Sequence, residues 1–282
     1  MRRLSTVTLA VALLAGCGAS GASPSPPAGF SLRAWVTQAI EPVAGFGMGG
    51  SSVAISEGQV IVPGPIPAIF PGPILPNLQQ RSISPNGIDA IVAAARAAGL
   101  LDGPTDLIGA PLPGAATGHL LFVIDGVERE VVGRTDSQIV CITTPCEAPP
   151  GTPEAFGGFW SLLSNLDAWI PGELGAQTPY DPERLAILLT EPAVDATLPP
   201  TSAPWPLEGP MSKFGVVFAT PQGLPPVRCG VVEGDELAAA LLAFRNGNGL
   251  TRWVDAEGDE RGVQVRALVP GEPDPCVPGV QG

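Results

Sequence analysis

Read as alternating hydrophobic and polar positions, the chain divides into short strands, a few amphipathic helices and long proline-rich connections. Residues 33–40 alternate weakly, as a half-buried strand does. Strand-like stretches at residues 52–55 and 59–62 surround Glu57-Gly58, and residues 120–124 and 128–132 flank Asp125-Gly126. Both dipeptides suit the two-residue turn of a β-hairpin, whose central positions need positive φ. Residues 63–76, PGPIPAIFPGPILP, predict neither helix nor central strand, because proline lacks the N–H that both require. Extended, polyproline-like chain is the expectation there.

Three stretches carry helical spacing. Ser84 caps the first, Pro85 stands at its opening position, Ile88, Ile91, Val92 and Ala95 share one face, and Gly99 stops it. Thr152-Pro153 opens the second, with Phe156, Phe159, Trp160, Leu163 and Leu166 as its stripe. The third covers residues 235–246, carries Leu237, Leu241 and Phe244, and ends at Gly247. Residues 184–189 and 214–219 read as buried strands, and residues 251–254 and 262–268 as a hairpin around the acidic turn 255–260. The sum predicts an α+β fold of mainly antiparallel hairpins with helices against them. A helix followed by a hairpin recurs at residues 85–132 and 235–268, which suggests two subdomains divided near residue 150.

Ahead of the folded region, Arg2 and Arg3 precede an apolar run over residues 4–14 and the tetrapeptide Leu14-Ala15-Gly16-Cys17. The run is shorter than the roughly 20 residues of a spanning helix and suits the hydrophobic region of an export signal. The tetrapeptide resembles the box of bacterial lipoprotein signals, Leu-(Ala/Ser)-(Gly/Ala)-Cys. That resemblance implies that residues 1–16 are a signal peptide, cut by a type II peptidase that needs small neighbours such as Ala15 and Gly16. It also implies a diacylglyceryl thioether on Cys17 and fatty acyl chains such as palmitate on the mature protein. Two or more acyl chains hold a protein stably on a bilayer, where one gives marginal binding. Residues 17–30 would then be the lipidated cysteine and a flexible Gly/Ser/Pro tether with a reach on the order of 20 Å, and residues 31–282 the folded region. An ordinary secretory peptide cut elsewhere is the alternative. The expected location is extracytoplasmic, held at the cell membrane by lipid.

The 282 residues include 14 basic and 27 acidic side chains, a formal charge of -13, and loss of Arg2 and Arg3 with the leader makes the chain more negative still. So acidic a surface repels nucleic acid and anionic headgroups, which excludes a polyanionic partner and leaves the acyl chains as the expected hold on the membrane. Gly and Pro are abundant at 36 and 34 residues, yet a 45% hydrophobic chain is too apolar for general disorder, so a loop-rich folded region is expected. After Cys17, four cysteines remain: Cys141, Cys146, Cys229 and Cys276. In an exported chain an even number implies disulfides, with three possible pairings. The pairing expected joins Cys141 to Cys146 across a tight loop and Cys229 to Cys276, which pins the carboxyl-terminal segment. A metal site is the rival reading of these cysteines; it lacks a second close ligand pair and has a single histidine, His119, to draw on. Neither metal nor cofactor is expected.

Candidate chemistry is sparse. His119 begins a predicted strand and would have to serve any Ser or Cys nucleophile, but no Gly-x-Ser-x-Gly elbow accompanies it; Gly49-Gly50-Ser51-Ser52 lacks the closing glycine. Glu128 and Glu130 lie two apart on one strand and share a face, where paired carboxylates can do acid–base work on a glycoside. With Arg129 and Arg134 nearby they equally suit a solvated sheet face. The turn 255–260 gathers four carboxylates, the ligand type that hard cations take, without the spacing of an EF-hand. The proline-rich segment offers Ile66, Ile69, Phe70, Ile74 and Leu75, which either cover a sheet edge or form an exposed apolar interaction patch.

Three stretches resemble a group of exported proteins and lipoproteins of high-GC actinobacteria and Chloroflexi. They are Gly58-Gln59-Val60-Ile61 followed by Phe70-Pro71-Gly72-Pro73, then Ala98-Gly99-Leu100-Leu101, then Val265-Arg266-Ala267-Leu268-Val269-Pro270-Gly271-Glu272 with Cys276. The resemblance implies one shared fold over much of residues 45–276 and carries no activity. The expectation is a lipid-anchored extracytoplasmic protein that binds an envelope protein or a small ligand without catalysis. Two alternatives stand beside it: a tethered envelope hydrolase using His119 or the paired carboxylates, and a structural or assembly protein that binds through residues 63–76.

Overall fold

A computed structural model describes residues 29–37, 51–109, 116–135, 142–144, 147–195, 197–199, 201–218 and 226–277. Cys17, Cys141 and Cys146 lie outside these residues, and with them the expectations for the leader, the lipid anchor and the Cys141–Cys146 bridge.

The two predicted hairpins form the centre of an eight-stranded sheet. β1 (Ser31–Thr37) pairs with β2 (Ser51–Ser56), which turns through Glu57 and Gly58, at φ 50° and 72°, into β3 (Gln59–Pro63) and then β4 (Leu78–Ser82). On the other side of β1 lies the hairpin of β6 (Thr117–Ile124) and β7 (Val127–Arg134), turned by Asp125 and Gly126 at φ 51° and 79°. The positive φ at both central residues is what matches such a turn to the strand twist. Short strands β5 (Asp106–Leu107) and β8 (Thr178–Pro179) close the edges, giving the order β5-β7-β6-β1-β2-β3-β4-β8, antiparallel except at β5–β7.

α1 (Pro85–Ala97) starts as expected, with the Ser84 hydroxyl accepting from Gly87 N at 3.1 Å. α2 (Pro153–Leu163) is capped by Thr152 and followed by α3 (Leu166–Trp169), a single turn, so Leu166 sits on a separate element from the rest of its stripe. Both long helices cover one face of this sheet, where Leu32, Ile55, Val60, Leu120 and Val131 meet Ile91, Phe156 and Phe159. α2 seats closely because β6 and β7 carry glycines beneath it. A Cβ at Gly133 would lie 2.5 Å from the Phe156 ring, and one at Gly118 would lie 3.1 Å from Trp160. This fit assigns residues 153–170 to the first core. The chain therefore passes from one sheet to the other between β8 and β9, near residue 180, and not near the expected 150.

The second sheet runs in the order β10-β13-β14-β9-β12-β11. Its strands are β9 (Arg184–Thr190), β10 (Thr201–Pro204), β11 (Val216–Phe218), β12 (Val227–Glu233), β13 (Thr251–Val254) and β14 (Glu260–Ala267), antiparallel except at β10–β13. α4 (Asp235–Asn246) lays Ala240, Leu241 and Phe244 on Leu185, Ile187 and Val265, with the Trp253 ring edge-on to Phe244 at 5.0 Å. The stretch 214–219, expected as a buried strand, instead supplies the edge strand β11, where Val216 and Val217 are 42% and 53% exposed. The inner position belongs to β12, whose apolar pattern is broken in sequence by Arg228 and Gly230.

The recurring helix-then-hairpin unit is not one topology used twice. In the hairpin after α1 the first strand, β6, docks beside β1, the opening strand of its sheet; in the hairpin after α4 it is the second, β14, that docks beside β9. The α+β class holds: two largely antiparallel sheets, each with helix on one face.

The back faces are joined by the carboxyl-terminal strap, residues 268–276. Leu268 and Cys276 pack with Ala186, Leu188 and Cys229 of the second sheet, while Val269 packs with Ala54 and Ile61 of the first. The expected Cys229–Cys276 disulfide closes this strap onto β12. Glu272 reaches between the sheets: its carboxylate accepts from Arg266 and from Val269 N at 3.0 Å, and lies 3.6 Å from Arg33 of β1. Tyr180 donates its hydroxyl to Leu268 O at 3.0 Å. Burial, with Glu183, Glu272 and Asp181 nearby, pushes that phenol up to about 12, so it remains a neutral donor.

Candidate functional site

Side chains alternate across a strand, so the two faces of the first sheet differ in chemistry. Leu32, Ala34, Leu120 and Phe122 enter the core beneath the helices, which leaves Arg33, Trp35, Thr37 and His119 on the back face. The β1–β6 register sets Trp35 opposite His119, and the two rings stack at 4.9 Å with an interplanar angle of 11°. The Arg33 guanidinium lies 4.2 Å over the Trp35 ring. Burial pulls that guanidinium below its ordinary value against the opposing effect of Glu272. An arginine starts so high that it stays charged.

Thr37 and Glu130 sit on either side of the same imidazole. Thr37 Oγ1 is 2.9 Å from His119 Nε2, and Glu130 Oε1 is 2.8 Å from Nδ1. With the proton on Nδ1, the carboxylate accepts from the ring and Nε2 accepts from the threonine hydroxyl, the order of orienter, base and nucleophile. Of the two carboxylates singled out in the sequence, Glu130 thus serves His119, while Glu128 stands exposed beside it. Thr37 and Trp35 carry no sequence signal for such a role; only the register of β1 against β6 places them.

The proline-rich candidates divide. Ile66, Ile69 and Phe70 are 84%, 63% and 70% exposed, whereas Ile74 and Leu75 pack against the second core. The acidic turn is consumed internally. Asp255 Oδ2 accepts from Met211 N at 2.8 Å and Oδ1 from Asp259 N at 2.9 Å and Glu257 N at 3.0 Å. No cluster of three or more potential metal ligands occurs among the described residues. Burial pushes the Asp255 carboxyl up, and donation from the backbone of Met211, Asp259, Glu257 and Gly258 outweighs it, holding the group below its usual value. A depressed folded-state pKa contributes stability that is complete above the unfolded value, about 4, and is lost as pH falls through the folded one. Asp255→Asn is therefore expected to flatten the fall in unfolding midpoint as pH drops below roughly 4. A midpoint–pH curve unchanged by the substitution would count against this role.

A fourth feature had no trace in the sequence. Between the first sheet and the α2–α3 junction lies a cleft of about 370 Å³. Its floor is Val53, Val60 and Val62 from β2 and β3, and its roof is Leu163 and Leu166. It exists because helix α2 stops at Ser164 and the element that continues over β2 and β3 is one turn long, about 6 Å of cover. Arg81 and Asp167 stand at the rim, joined at 2.5 Å, and Arg81 Nε donates to Gly175 O at 2.9 Å. These bonds use two of the five guanidinium N–H groups. The lining comes from β2, β3, β4, α2, α3 and Gln177, positions that no local pattern connects.

No family model, no curated protein and no solved structure matches the chain.

Proposed function

We propose that this chain is a lipid-anchored extracytoplasmic protein that binds a small, mainly apolar molecule bearing one hydrogen-bond acceptor. The observation that carries the reading is the cleft of about 370 Å³ with a valine floor and the Arg81 guanidinium at its rim. Clefts of roughly 300–1,000 Å³, largely apolar with few polar groups, are the usual form of small-molecule sites. The ligand's apolar body lies against the half-buried Val62, and its acceptor meets a remaining Arg81 donor. The anchor and the export rest on the box ending in Cys17.

The neutral dye N-phenyl-1-naphthylamine, titrated in lipid-free buffer, tests the cleft. Val62→Phe fills the space from a half-buried position and is expected to weaken dye binding by about tenfold or more. Unchanged dye affinity in a Val62→Phe chain with an unchanged unfolding midpoint overturns the reading.

The Thr37–His119–Glu130 relay favours a second reading, a tethered hydrolase in which Thr37 Oγ1 attacks an ester carbonyl and His119 takes its proton. The ladders of β1, β6 and β7 engage the strand backbone around it, so stabilisation of the oxyanion has to come from another element. His119→Ala is expected to lower p-nitrophenyl acetate turnover by about 100-fold on this reading. Wild-type turnover equal to that of buffer removes it.

A further inference from the structure

The connection between β3 and β4 has a fixed neck and a projecting tip. Gly64 N donates to Asn77 O at 2.6 Å, and Asn77 Nδ2 donates to Pro65 O at 2.9 Å. The neck is tight enough that a Cβ on Gly64 would lie 2.6 Å from Gln79 Cγ. Further along, Gly249 N donates to Gly72 O at 3.0 Å, Pro73 bridges to Asn248, and Ile74 and Leu75 enter the second core. Between these two holds, every residue from Pro65 to Phe70 is exposed. A chain that half-buries Ile74 and Leu75 against the second core while exposing Ile66, Ile69 and Phe70 displays the latter on a supported tip.

We infer that this tip inserts into the interfacial layer of a lipid bilayer. Three properties favour lipid over a protein surface. The stretch from Gly58 to Gln80 holds no Asp, Glu, Lys or Arg, in a chain whose net charge is -13, so the tip is the place where an acidic protein approaches a membrane without repulsion. Its backbone is short of donors: Pro65, Pro67 and Pro71 have no N–H, which lowers the cost of leaving water where polar groups find no partner. Its apolar side chains Ile66, Ile69 and Phe70 are 84%, 63% and 70% exposed within six residues, and a bilayer takes such groups without a complementary pocket.

The contact is separate from the lipid anchor. β1 begins at Ser31, and the pairings Leu32–Ile55 and Ile55–Val60 place that end of the sheet opposite the Pro63 end from which the tip projects. The described chain therefore enters the first sheet at the end opposite the tip. The cleft lies beside the base of the tip, since Pro63 lines its rim.

The test uses the mature chain from residue 17 with Cys17→Ser, which carries neither the apolar leader nor an acyl group, and sucrose-loaded phosphatidylcholine vesicles in a sedimentation assay. Ile66→Ser, Ile69→Ser and Phe70→Ser introduced together into that background are expected to lower the partition coefficient by about 100-fold, since each apolar side chain contributes on the order of tenfold or less at an interface. Ala68→Asp, a single charge at an exposed position, is expected to lower it by about tenfold or more. Salt leaves the partition on these vesicles unchanged, because no charge pairing is involved. Equal sedimentation of the parent and both variants overturns the inference. So does a parent that self-associates in lipid-free buffer and becomes monomeric in the triple variant, which assigns the tip to a second copy. Dye binding in the cleft is read without lipid, so failure of either reading leaves the other measurable.

Discussion

Replacing Cys276 by Ser lowers the stability of the folded chain by about 4 kcal/mol. The bridge to Cys229 spans a sequence separation of 47, and closing a loop of that length removes conformational freedom from the unfolded chain. The native side of the balance matters equally. Cys229 and Cys276 are completely or almost completely buried, and they hold the strap whose Leu268 and Val269 touch different sheets. Guanidinium unfolding of the oxidised wild type against Cys276→Ser measures the effect. An unchanged midpoint would show that the strap stays in place without the bridge.

Glu272→Ala is expected to cost about 3–5 kcal/mol, the second large effect. The side chains of Glu272 and Arg266 are 2% and 9% exposed, and Arg33 is at 11%, so removing the carboxylate leaves guanidinium charge where water cannot solvate it. Burial alone does not make an ion pair stabilising; the cost comes from breaking it one-sidedly. Replacing Arg266 together with Glu272 by apolar residues should recover part of the loss, and full additivity in that cycle would deny the coupling. Glu272 and Cys276 share one strap, so the pair Glu272→Ala and Cys276→Ser should cost less than the two single losses combined. Once the strap is released, the second substitution has less left to remove.

Local sequence chemistry located most of the elements. Asp125-Gly126 and Glu57-Gly58 specify turns with positive φ, and Ser84-Pro85 and Thr152-Pro153 specify helix starts, because these preferences act within a few residues. The inner strand β12 and the edge strand β11 were exchanged in importance. Arg228 and Gly230 disguise a strand that sits between two neighbours, while Val216 and Val217 look like core and lie at an edge. Burial there depends on which strand finds which partner.

The same limit applies to the sites. His119 and Glu130 were visible as residue types, but the 2.8 Å bond between them and the approach of Thr37 depend on the registers of β6 with β7 and with β1. The cleft depends on where α2 stops above strands far away in sequence.

By itself the sequence determined the turns, the caps, the three long helices and the acidic charge, all properties of neighbouring residues or of composition. Only the tertiary structure decided that residues 153–170 belong to the first sheet, that Glu272 links both sheets, that Ile66, Ile69 and Phe70 are exposed while Ile74 and Leu75 pack against the second core, and that a cleft opens under α3. Those features arise from contacts between residues distant in the chain, whose energies are settled by packing and strand register and leave no mark on local pattern.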